Sequence, residues 1–157
     1  MLSPETAAFL ESGCALIVGT ADIGTEPHAT RGWGVTVLSR DPGEVRLLID
    51  ANDPVAITNL STNGKISVTG ADVPSLASVQ FKGTVSAIEA ATDEDRARAA
   101  RYADAFFGDI GNVDGTPRKL VDRLLADDFV ACIVRIVELY DQTPGPGAGA
   151  SMSKGAS

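Results

Sequence analysis

A chain of 157 residues with 44% hydrophobic content suits one domain with a sizeable core. Its formal charge of −8, from 13 Lys and Arg against 21 Asp and Glu and with no basic run, argues against nucleic acid or an anionic membrane as partner. No apolar run approaches the roughly 20 residues of a membrane helix, and the opening MLSPETAAFLESG is acidic rather than basic and then apolar, so a cytoplasmic protein is expected.

In chain order, Ser3 as N-cap, Pro4 at the first helical position and Gly13 as stop predict a short helix over about residues 4–12. CALIVGT predicts a strand, ADIGTE a turn, and PHATRGWGVTVLS a long strand whose glycines suggest bulging or close backbone approach. RDPGE, with Pro42 at the second turn position, predicts a tight reversal into the strand VRLLID. Pro54 opens and Gly64 ends a short crossing helix, followed by the strands KISVTG and SVQFKGTVSAIEA. Thr92 caps the helix DEDRARAARYADAFF, whose charged face reads most simply as solvated. The loop GDIGNVDG, a helix PRKLVDRLLA and a last strand DFVACIVRIVELY follow.

Six strands with local reversals and helices gathered late predict a mainly β fold with helical additions, an antiparallel split β-barrel of about six strands. The domain spans 1–140, and the Pro/Gly-rich tail 141–157 has too few apolar residues to fold alone. Its Pro-Gly steps would suit an extended arm laid over a partner subunit or a ligand groove. Cys14 and Cys132 sit in apolar runs without a nearby Cys or His, so both read as buried thiols and no metal site is expected.

Chemistry concentrates in GTADIGTEPHATRGWGVTVL, residues 19–38, which holds the one His and the one Trp. There is no Ser/His/Asp arrangement and no framed carboxylate pair, so hydrolysis is a poor reading and no catalytic residue stands out.

The order of parts resembles the pyridoxamine 5′-phosphate oxidase-like family, the FMN-binding split β-barrels, over about residues 5–140. The resemblance is carried by a first strand ending in small residues, a Gly-containing turn, Pro27 and His28 opening the second strand, Asn59 and Leu60 late in a short helix, and Phe81-Lys82-Gly83 in the fifth strand. It implies a homodimer with flavin in a groove between subunits, and a flavin-dependent oxidoreductase acting on a small molecule that the sequence does not name. ATRGWG would then be the cofactor strand. Arg31 would hold the phosphate, Thr30 would stand beside it, Gly32 and Gly34 would let backbone approach the ring, and Trp33 would cover an aromatic face. Asn52 and Lys82 complete the expected cofactor set.

Each residue also has a plainer reading. Arg31 could face solvent or pair with a carboxylate, Trp33 could be core or interface packing, His28 could be structural, and Lys82 could snorkel to the surface. The chain departs from the family at Ala56, where a lysine facing phosphate commonly stands three residues before the Asn-Leu pair, and Asp53 just ahead would repel a dianion. A deazaflavin in place of FMN, or a non-catalytic barrel used as sensor or carrier, therefore stay open.

Overall fold

The computed structural model describes residues 1–152. Its elements are α1 (Pro4–Leu10), β1 (Ala15–Ala21), β2 (Pro27–Arg40), β3 (Gly43–Asp50), α2 (Pro54–Asn63), β4 (Lys65–Ala71), β5 (Ser78–Ala90), α3 (Asp93–Asp114), α4 (Arg118–Val121), a 3-10 turn (Asp122–Leu124), β6 (Phe129–Asp141) and β7 (Ala150–Ser151). The strands run β3-β2-β1-β4-β5-β6, every pair antiparallel, and β3 pairs with β6 to close the barrel, leaving β7 as an addition beside β6. Closure removes the two edges that an open six-stranded sheet would otherwise expose.

The interior follows from period-two alternation. Leu16, Val18, Leu47, Ile49, Val68, Phe81 and Val134 are buried between strands, and the residues between them face outward. The caps read from the sequence form as expected: the Ser3 hydroxyl accepts from Thr6 N–H at 3.1 Å, and Thr92 forms a reciprocal capping box with Asp95. Asn59 is buried and donates to the Thr20 hydroxyl at 3.0 Å, tying α2 to β1, while Leu60 enters the core. Gly83 is required because a side chain there would run into the Arg135 carbonyl oxygen, where β5 and β6 change register.

Several expectations are corrected. Pro42 takes the third rather than the second place of the turn, after a cis peptide, so β3 begins at Gly43. GDIGNVDG is not a loop: α3 runs on through Gly108 and Gly111, neither of which meets crowding, and ends only at Gly115, which adopts the left-handed C-cap. The helix expected over PRKLVDRLLA is the short α4 and one 3-10 turn. The tail turns back on its own strand as a hairpin, with Gly149 N–H on Asp141 O at 2.7 Å and Met152 N–H on Leu139 O at 2.8 Å. Gln142 and Thr143 fasten its start to Ser78. The part of the expected tail beyond 152 lies outside the described residues.

The face of α3 expected to be solvated is partly built in. Arg98 donates to Val35 O at 3.0 and 2.7 Å and to Glu11 O, joining α3 to the bulged part of β2 and the end of α1. Asp95 accepts two bonds from Arg46 on β3, at 2.8 and 2.7 Å. The Arg46 guanidinium, with the Thr92 bonds adding to it, outweighs burial and holds the Asp95 carboxyl down at about 2, against an ordinary 3.8. A depressed carboxyl stabilises the fold above its unfolded-state pKa and loses that contribution as pH falls through the folded one. Asp95 should therefore contribute about 2 kcal/mol that disappears between roughly pH 4 and pH 2. Denaturant titrations across that window should show the loss in the native protein and a flatter profile in Asp95→Asn.

Candidate functional site

Register decides which side chains share the outer face of the barrel. Directly opposed residues of an antiparallel pair point the same way. Ile17, 44% exposed, faces outward and stands opposite both Arg31 and Thr69, and Thr69 opposes Gln80, which opposes Tyr140. The Gln80 amide donates to the Thr69 hydroxyl at 2.9 Å along this row. The next row is Ala29, Gly19, Ser67, Lys82 and Glu138. Arg31 thus stands at one side of a face floored by small residues, with Lys82 roughly 14 Å away across three strand spacings.

Arg31 is half-buried, and its guanidinium lies over the Phe106 ring of α3 at 5.8 Å. Among the described residues it makes no ion pair and no side-chain hydrogen bond, so its charge is uncommitted. Two residues on, Trp33 is covered by α3. It is 3% exposed and meets Tyr102 and Phe107 edge to face, with centroids 6.4 and 6.2 Å away. Its ring packs between strand and helix. The flanking glycines also answer to the chain itself. A side chain at Gly32 would meet Leu16 at 2.8 Å and Leu47 at 3.1 Å, and Gly34 has φ +137°, which an L side chain rarely adopts, beside Arg98 and Tyr102.

The remaining sequence candidates divide. The His28 ring meets both oxygens of Asp53, at 3.0 and 2.9 Å, and Asp53 caps α2 by accepting from Ala56 N–H at 3.0 Å. Partial burial works to raise the Asp53 carboxyl, but Ala56 N–H, His28 and the neighbouring Thr30 hydroxyl together hold it below its ordinary value. Thr30 and His28 therefore serve the head of α2. Ala56 is fully buried, so α2 presents no cation at that position. Asn52 is exposed in the turn before α2 and donates its backbone N–H to Asp50 at 2.8 Å. Lys82 extends along the surface, 3.6 Å from Glu138 and 5.3 Å from the centre of the Tyr140 ring.

Lys82 also borders a groove of about 600 Å³ on this outer face, with Gly19 and Ser67 in its floor and Lys65, Thr84 and Val137 around it. Lys65 was not legible as a site residue from the sequence, because its place beside Lys82 depends on the β4–β5 register.

Such a closed six-stranded barrel, with a short helix crossing between its third and fourth strands, defines a split β-barrel protein. The chain belongs to the pyridoxamine 5′-phosphate oxidase family, whose profile matches residues 2–131. No curated protein matches it by sequence. Among solved structures it is similar to HupZ from Group A Streptococcus, with 17% identity, 95% of this chain and 100% of that chain covered, and a TM-score of 0.58. It is similar to an F420 reductase, with 15% identity, 88% and 98% covered, and a TM-score of 0.56. It also resembles a pyridoxamine 5′-phosphate oxidase-related, FMN-binding protein from Nostoc punctiforme, with 14% identity, 93% and 87% covered, and a TM-score of 0.51.

Proposed function

We propose that the protein is a flavin-dependent oxidoreductase that binds FMN on the outer face of β2, β1 and β4, with the phosphate on Arg31. One observation carries this reading: Arg31 is a cation without an anion partner among the described residues, at the rim of a face whose next row begins Ala29, Gly19 and Ser67. The residues present fit the group there. A charge-assisted bond needs an unsatisfied donor, and a flat ring needs small side chains beneath it. When bound, a flavin supplies hydride or electron transfer, and the protein supplies orientation and exclusion of water. Arg31 would fix one end, and Phe106 would hold the guanidinium plane in place.

A homodimer belongs to this reading, because the face is open in a single chain, with Ile17 44% and Val137 65% exposed, and a two-fold partner would cover it. Light scattering at micromolar concentration should give twice the mass of one chain; a monomer would remove the shared groove. No helix among the described residues is long and apolar enough to cross a membrane. A cytoplasmic setting accompanies the reading, since both thiols are buried and free and require no oxidising compartment.

The head of α2 favours a second reading. Asp53 and the buried Ala56 stand where a family lysine would add positive charge, which suits a barrel that carries no flavin and acts as a sensor; a deazaflavin in place of FMN is a third reading. Desalting after incubation with excess FMN, F420 or riboflavin separates the three. Retention of about one FMN per chain supports the first reading, and loss of FMN with retention of F420 supports the deazaflavin.

A further inference from the structure

The groove shares Gly19 and Ser67 with the edge of the FMN face and runs from there toward β5 and β6, and its charged lining groups are Lys65, Lys82 and Glu138. Lys65 opposes Thr84 and Ser67 opposes Lys82, so the two lysines are diagonal neighbours on one face, roughly 7 to 8 Å apart by strand geometry. In a chain of net charge −8, two adjacent ammonium groups bordering one concavity are against the general balance, and they repel each other unless an anion lies between them. Glu138 does not fill that role. Its carboxylate accepts from the Tyr140 hydroxyl, which holds its pKa below the ordinary range, and its Lys82 contact is 3.6 Å long between half-exposed side chains. A pair of that kind contributes little and leaves Lys82 free to turn. Lys65 forms no ion pair among the described residues. The groove, about 600 Å³, is of ordinary ligand size, with Thr84 on its rim and the exposed Val137 as an apolar wall.

We propose that this groove receives the anionic group, carboxylate or phosphate, of the small-molecule substrate, held between Lys65 and Lys82 with its apolar part against Val137. Lys82 thereby serves the substrate instead of the cofactor. The word substrate rests on the flavin reading; the anion binding does not.

The test uses flavin-free protein and calorimetric titration with phenyl phosphate, benzoate and, as neutral control, benzyl alcohol. One or both anions should bind and the alcohol should not; which anion binds tells phosphate esters from carboxylic acids. Lys65→Gln and Lys82→Gln should each weaken anion binding by about tenfold. Absence of anion binding, equal affinity in the lysine variants, or loss confined to Arg31→Ala would overturn the assignment. FMN binding that persists in the lysine variants would leave the flavin reading standing. Lysine-dependent anion binding in a protein that takes no flavin would leave the groove standing alone.

Discussion

Arg31→Ala should weaken FMN binding by roughly ten- to a hundredfold and leave riboflavin binding nearly unchanged. With Ala56 buried and Asp53 bonded to the His28 ring, α2 offers no cation, and the strand must supply the charge. A hydrogen bond to a charged group contributes about 1.5 to 3 kcal/mol, which gives that range of affinity. Riboflavin lacks the phosphate, so its binding isolates the interaction. Stability should fall by about 1 kcal/mol or less, since the side chain contributes one cation–π contact with Phe106 and no ion pair among the described residues. Fluorescence titration of both flavins into both proteins reads the result. Equal loss for FMN and riboflavin would show that the substitution disturbs the face in general and that Arg31 is no phosphate anchor.

Trp33→Ala should destabilise the protein by about 3 to 5 kcal/mol and lower Tm by roughly 10 °C, because it empties a buried site between β2 and α3. The loss includes two edge-to-face contacts, with Tyr102 and Phe107, as well as transfer and cavity costs. Trp33→Phe keeps an aromatic ring and should retain most of the stability. It should also leave riboflavin affinity within twofold, since the indole packs beneath α3; a large fall in riboflavin affinity with unchanged Tm would restore the ring to a ligand-covering role. Thermal melts alongside riboflavin titration separate the two outcomes.

Local signals in the sequence were enough for most element types. Ser3-Pro4, Asp53-Pro54 with Gly64, and Thr92 mark helix ends through local backbone bonds, and alternation in β1 and β4 follows from burial of one strand face. Gly108 and Gly111 misled because glycine lowers helix propensity, yet Ile110 and the neighbouring Phe106 and Phe107 draw that stretch of α3 onto the core. Arg31 was legible as the basic residue of the expected cofactor strand, but its uncommitted charge was not, since that depends on what α3 brings near. The same helix explains Trp33 and Gly34: Tyr102, Phe107 and Arg98, some seventy residues downstream, define their surroundings. Lys65 was invisible because sequence neighbours say nothing of Lys82, and only the β4–β5 register brings the two together. His28 was legible as structural, and its partner Asp53 supplies the reason.

Trp33 also supplies the most direct test of the flavin face. It is the one tryptophan in the chain, two residues from Arg31, and flavin absorption overlaps tryptophan emission. Titrating FMN while following Trp33 emission in the native protein should give saturable quenching at one flavin per chain, shifted to higher concentration in Arg31→Ala. Unchanged emission with FMN, riboflavin and F420 alike, together with unquenched flavin fluorescence, would contradict a flavin site on this face.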